Sequence, residues 1–218
     1  MEHLEDASKA IISNVKNWYN VAAIEYQKAN DKNRQELQIF QLFLSLVDKG
    51  PVLELGCGNG IPIGKALLEA GITYRGIDIS ETQIKIAKES LPEFENAFEV
   101  AEMIEYLKRQ DDNSLIGVVS QFAMFHLPRI LHTYLFELIK QKLTSGGYVF
   151  FTCAEGNWEG YENNWLKAPK MYWSNFSNEW YSVTLRELGY AFVNSFRHEA
   201  MFDDQPEIHY YMLFKKPD

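Results

Sequence analysis

From Lys9 to Leu46 apolar side chains recur every three to four positions, the spacing that gathers them on one helix face, with polar breaks at Asn20 and at Asn30–Asp31 that read as helix ends. Gly50–Pro51 then punctuates the chain, and the period changes. Short apolar runs at Val52–Leu55, Tyr74–Ile79, Ala97–Val100, Leu115–Ser120 and Tyr148–Cys153 read as strands. The segments between them, Pro62–Ala70, Glu81–Ser90, Met103–Arg109 and Arg129–Leu143, carry helical spacing, and Ser80 stands where an N-cap belongs. Strands that alternate with helices are joined by crossovers, which makes neighbouring strands parallel and covers both faces of the sheet with helices. The fold class is therefore α/β.

Beyond Cys153 the pattern loosens into an aromatic-rich stretch, Trp158–Tyr181. A helix over Glu179–Leu188, ended by Gly189, and two strand-like runs follow, Tyr190–Phe196 and Ile208–Phe214. The polar turn Asp203–Asp204–Gln205–Pro206 between those runs is short, so they pair antiparallel. No repeat or linker interrupts the chain. The expected organisation is one domain over residues 1–218, with a helical cap at 1–48, a ligand-binding core at 50–153, and an aromatic lid and strand pair at 154–218.

The sharpest chemical feature is the run Glu54–Leu55–Gly56–Cys57–Gly58–Asn59–Gly60, in which a strand passes straight into a glycine-rich turn and then a helix. Alternate glycines let the backbone approach a ligand closely, because no Cβ intervenes and positive φ is free. The spacing does not match the dinucleotide fingerprint: its third glycine would fall at Ile61 or Ile63. Glu54 would also repel a pyrophosphate, whereas it suits a ligand carrying an ammonium group. An NAD-linked oxidoreductase stays open as an alternative, since an acidic residue, Asp78, follows Gly58 by 20 positions.

Glu54-x-Gly56-x-Gly58-x-Gly60 after a strand, with Asp78 at the end of the next strand, resembles motif I and its partner acid in the class I S-adenosylmethionine-dependent methyltransferases. The likeness covers about residues 50–153, is weaker in both flanks, and is to small bacterial members of unassigned substrate. It implies a three-layer Rossmann-like fold with a mainly parallel seven-stranded sheet whose last strand is antiparallel. It also implies S-adenosyl-L-methionine as cofactor, leaving as S-adenosyl-L-homocysteine. On that resemblance Glu54, Gly56, Cys57, Gly58 and Gly60 approach the methionine part of the cofactor. Asp78, with Ile79 beside it, takes the ribose hydroxyls, because a carboxylate accepts two hydrogen bonds side by side. Glu102 and Met103 flank the adenine, Gln121 and Phe122 touch the cofactor after the fourth strand, and Tyr26 leans over it. For Glu102 the plain reading, a solvated helix N-terminus, stays open beside this one.

His126 is the histidine expected to face the site, either as a base toward the methyl acceptor or as a buttress of the loop before Pro128. Tyr172, Trp173 and His209 are candidate acceptor contacts. For the aromatic stretch, core packing and contact with a second copy of the chain are equally open. His3 and His132 read as surface residues. Cys57 needs only small size at its place between glycines, and Cys153 reads as packing.

Composition narrows the partners. The 218 residues carry 21 basic and 30 acidic side chains, a net charge of −9, with no basic cluster to neutralise phosphates, so nucleic acid is disfavoured. Two distant cysteines exclude a disulfide framework, and no His, Asp or Glu cluster suggests a metal. No run is long and apolar enough to span a membrane, and Met1–Ala10 lacks the regions of a secretory signal, so the expected location is the cytoplasm. A small-molecule acceptor fits the acidic surface and the aromatic stretch. A catalytically silent cofactor-binding partner of a second protein is the remaining rival.

Overall fold

A computed structural model describes residues 2–30, 36–202 and 205–218. Two helices lead in, α1 (Glu2–Asn30) and α2 (Glu36–Leu46). Strand and helix then alternate through β1 (Pro51–Leu55), α3 (Ile63–Glu69), β2 (Thr73–Asp78), α4 (Glu81–Ser90), β3 (Phe98–Val100), α5 (Met103–Lys108), β4 (Leu115–Ser120), α6 (His132–Lys142) and β5 (Leu143–Ala154). The remainder is a hairpin of β6 (Trp158–Glu162) and β7 (Met171–Asn175), then α7 (Asn178–Glu187), β8 (Ala191–Phe202) and β9 (Gln205–Lys215).

Seven strands form one sheet in the order β3-β2-β1-β4-β5-β9-β8, while β6 and β7 form a separate antiparallel pair. Within the large sheet β9 runs antiparallel to both its neighbours, and the other pairings are parallel. This is the α/β, mainly parallel seven-stranded architecture with an antiparallel last strand that the resemblance implied.

Parallel strands covered on both faces must be apolar on both, and the two-residue period divides their side chains between two cores. Leu53, Leu55, Val118 and Phe151 pack with Leu107, Phe136 and Tyr181 on one side. Val52, Val119 and Phe150 pack with Phe40, Phe43, Leu67 and Ile84 on the other. A third cluster joins Val15, Trp18 and Ala22 of α1 to Ala168, Met171 and Tyr172, so α1 lies against the β6–β7 hairpin. The order of strands reverses between β1 and β4, which opens a crevice at their carboxyl ends.

Several elements depart from the sequence pattern. The break expected at Asn20 does not occur: α1 runs through it, and Asn20 docks the helix on α4. Its Oδ1 accepts from the Ser80 hydroxyl at 2.7 Å and from the Thr82 N–H at 3.3 Å, while Thr82 Oγ1 donates to the Asn20 carbonyl at 2.9 Å. A polar residue that looked like a helix end is a tertiary contact. The helix expected over Arg129–Leu143 is a turn of 3₁₀ helix followed by α6, because Leu143 already pairs with Leu115 in the sheet. The aromatic stretch folds into the β6–β7 hairpin rather than an irregular segment, and β8 and β9 extend further toward their turn, of which Asp203 and Asp204 lie outside the described residues. His132, expected at the surface, is fully buried, where its ring joins the Tyr181 hydroxyl at 2.8 Å to the Leu127 carbonyl at 2.9 Å. The side chain of His3 lies outside the described residues. Among the described residues no helix is long and apolar enough to cross a membrane.

Because Asn20 holds α1 to α4 through its side chain, Asn20→Ala should lower stability by about 1–2 kcal/mol in urea denaturation. An unchanged midpoint would show that the apolar contacts of α1 suffice without it.

Candidate active site

The turn after β1 sits at the mouth of this crevice. Gly56 adopts φ +74°, and a Cβ there would lie 2.3 Å from the Cβ of Ala123 on the segment after β4, so both conformation and space demand glycine. The N–H groups of Gly56 and Cys57 donate to the Ile77 carbonyl at 2.8 and 2.9 Å, which ties the turn to the end of β2. One residue on, the Gly58 N–H donates to Oδ2 of Asp78 at 2.9 Å, and the Ser80 N–H donates to Oδ1 at 2.9 Å. The sequence spacing between Gly58 and Asp78 is thus a direct contact. Burial raises the Asp78 carboxyl to about 6 despite these N–H groups, which favour the charged form.

A cleft of about 660 Å³ opens over the turn. Of the residues singled out by sequence, Glu54, Gly56, Cys57, Gly58, Asp78 and Ile79 line its β1–β2 side. Glu102, Met103, Gln121 and Phe122 line the side formed by the segments after β3 and β4, and Tyr26 and His126 face it from above. Gly60 stands behind the turn against the ring of Phe98. Glu102 lines the cleft and also caps α5, accepting from the Glu105 N–H at 2.8 Å; burial raises its carboxyl, so this helix N-terminus is not the solvated one that the plain reading expected. The thiol of Cys57 is pushed well up, by burial first and then by Asp78 and Glu54, so it stays protonated.

Two features suit a bound group that spans this cleft. The carboxamide of Gln121 is buried beside it with neither its oxygen nor its nitrogen bonded to protein, and such a group ordinarily finds a partner. Phe122 holds φ +52°, an uncommon backbone for a bulky side chain, with its N–H donating to Thr152 Oγ1 at 2.6 Å. Among the described residues no group of three or more His, Cys, Asp or Glu could hold a metal ion.

Tyr172, Trp173 and His209 are not among the residues that line the cleft. Tyr172 and Trp173 form the layer behind His126: the Tyr172 carbonyl lies 3.0 Å from His126 Nδ1, and the Trp173 ring sits 4.5 Å from the imidazole. His209 packs on Phe122, with ring centres 5.0 Å apart, and its imidazole is lowered to about 4 by burial and then by His198. It supports the wall from outside.

A carbonyl can only accept, so Nδ1 of His126 carries the proton and Nε2 accepts from the Tyr19 hydroxyl at 2.7 Å. The imidazole is buried, and burial lowers it to about 4. Tyr19, which the sequence places in the helical cap beside Trp18, is not among the expected site residues. It lines the cleft with Ile12, Val15 and Tyr26, all on one face of α1, and that helical stripe was the available signal.

The sequence of residues 52–147 matches a family model described as a methyltransferase domain. This stretch of the chain is similar to methyltransferase domains. An uncharacterized methyltransferase of Bacillus cytotoxicus is 37% identical over 102 residues, 47% of this chain and 46% of its own length, so the chain matches about half the length of such relatives. Among solved structures, a chain from the Haloferax volcanii complex of a methyltransferase with the Trm112 methyltransferase activator superposes with TM-score 0.74 at 16% identity, over 94% of this chain and 98% of that one. A Burkholderia thailandensis 1,6-didemethyltoxoflavin N1-methyltransferase, solved with that substrate and S-adenosylhomocysteine, superposes with TM-score 0.70 at 16% identity, over 100% of this chain and 90% of that one. The matched residues run from β1 to the start of β5 and include the glycine turn, Asp78 and His126; the α1 wall and the hairpin lie outside them.

Two outcomes follow from this geometry. Gly56→Ala should destabilise the fold by roughly 2–4 kcal/mol, the range of strained or overpacked substitutions, read as a lowered midpoint in thermal or urea unfolding. Nitrogen chemical shifts of His126 should report a neutral ring protonated at Nδ1 down to about pH 4; a ring that titrates near 6.5 would place it in contact with water instead.

Proposed function

We propose that the chain transfers a methyl group from S-adenosylmethionine to a small-molecule acceptor. The observation that supports this best is the joint between the bare Gly56–Gly58 turn and the Asp78 carboxylate at one end of the cleft. A carboxylate held there by two backbone N–H groups keeps lone pairs for a vicinal diol, and the turn leaves room for an extended tail along the main chain. Glu54, beside that turn, suits an ammonium group on the tail. When bound, the cofactor supplies an electrophilic sulfonium methyl with its own leaving group. The chain's contribution is then to hold two reactants close and in line.

The acceptor end is bounded by α1 through Ile12, Val15 and Tyr19, together with His126 and Leu127. With the Tyr19 proton directed to His126 and its oxygen also engaged with the Tyr26 side chain, what the phenol offers the cleft is a remaining oxygen lone pair. Such a group receives a hydrogen bond from an N–H or O–H of the acceptor and orients it. In this reading His126 acts through Tyr19 and Tyr172 and Trp173 hold His126 in place, while His209 supports Phe122. The largely uncharged wall favours a small organic acceptor, and the structural neighbour from Burkholderia thailandensis acts on one.

Calorimetry tests the proposal. S-adenosylhomocysteine should bind and NAD should not, and Asp78→Ala should weaken S-adenosylhomocysteine by tenfold or more without unfolding the chain. Because the Asp78 carboxyl titrates at about 6 and binds hydroxyl donors best when ionised, affinity should fall as pH drops through that value. Tight binding of NAD, or an unchanged constant for Asp78→Ala, would overturn the reading. Methyl transfer to an acceptor in a metabolite panel separates an enzyme from a silent binding partner.

A further inference from the structure

The polar atoms beneath the turn include a pair that the sequence motif does not contain. Tyr74 lies on β2 facing the same side of the sheet as Gly76, and in the register of the sheet Gly76 pairs with Glu54 of β1. The Tyr74 phenol passes over Gly76 and donates to Oε2 of Glu54 at 2.5 Å, with both residues buried. Two glycines make its path. A Cβ on Gly76 would lie 2.3 Å from the phenol oxygen, and a Cβ on Gly64 of α3 would lie 2.6 Å from it. The ring is fixed edge-on against Phe98 at 5.8 Å. Burial, then Glu54 and Cys57, push the phenol well above its ordinary range, so it remains a donor.

A buried carboxylate must be hydrogen-bonded to remain charged. A lysine or arginine in this place would do so while cancelling the charge. A phenol orients the carboxylate without bringing a positive charge of its own. We infer that Tyr74 is a positioning residue that fixes Glu54 to recognise a cationic nitrogen on the ligand, the α-ammonium of the cofactor's amino-acid tail. This inference rests on the cofactor reading given above and deepens it. It also assigns a purpose to Gly64 and Gly76, which stand outside the glycine turn yet leave the passage the phenol occupies.

The test compares two ligands that share the adenosine and the sulfur and differ in the tail: S-adenosylhomocysteine, which has the ammonium, and 5′-methylthioadenosine, which lacks it. Tyr74→Phe should weaken S-adenosylhomocysteine by roughly tenfold in calorimetry and leave 5′-methylthioadenosine within about twofold. In a Glu54→Gln background the same substitution should have no further effect on S-adenosylhomocysteine, since the two residues act as one unit. Gly64→Ala, which crowds the phenol while adding a better helix former to α3, should reproduce the selective loss and serves if Tyr74→Phe does not fold. Equal losses for both ligands would make Tyr74 a packing residue and overturn the inference, as would unchanged binding of S-adenosylhomocysteine. If neither ligand binds the unaltered protein, the cofactor reading itself fails and the inference goes with it.

Discussion

The Gly58 N–H bonded to the Asp78 carboxylate is the contact on which the arrangement of the cleft depends. It closes the end of β1 onto the end of β2, and it requires the turn to arrive there without side chains. Gly56 meets that requirement twice, through a left-handed backbone and through its approach to Ala123. The turn is therefore wedged between β2 on one side and the segment after β4 on the other. The strand order reverses between β1 and β4, where this turn leaves β1, so the crevice of the sheet and the glycine turn coincide.

Charge is placed with the same economy. Glu54 and Asp78 both line the cleft, and both accept hydrogen bonds from neutral donors: the Tyr74 phenol in one case, two backbone N–H groups in the other. Their fields, with burial, keep the intervening Cys57 thiol protonated. In the proposed reading such a site suits a ligand that brings a positive charge and hydroxyl donors. The acidic balance of the whole chain points in the same direction.

The other end of the cleft is a matter of packing. Helix α1 crosses it and is held by polar contacts of Asn20 and Lys16 on α4 and of Tyr19 on His126, with an apolar seam between α1 and the hairpin. His126 is consequently an internal strut whose proton positions are dictated by the Tyr172 carbonyl and the Tyr19 hydroxyl, and the group that reaches the cleft from that network is the phenol. Of the wall against which an acceptor would rest in the proposed reading, the α1 part lies outside the matched residues 52–147, while His126 and Leu127 lie within them.

Local pattern sufficed for much of this molecule. Helix α4 with its Ser80 cap, strand β4, the glycine turn and the placing of Asp78 are read directly from period, capping and spacing, because each is enforced within a short stretch of chain or by backbone conformation. The lining residues on the β1–β4 core follow from the same order of elements. Asn20, His126, His132, Tyr172 and Tyr74 behave otherwise. Each is a polar group whose partner lies tens of positions away, and a polar residue in sequence looks the same whether it ends a helix, faces water or is spent on a distant carbonyl. Only the tertiary structure decided which of these groups met inside the fold, since burial without a partner is costly and the available partners depend on how α1, the hairpin and the sheet pack together.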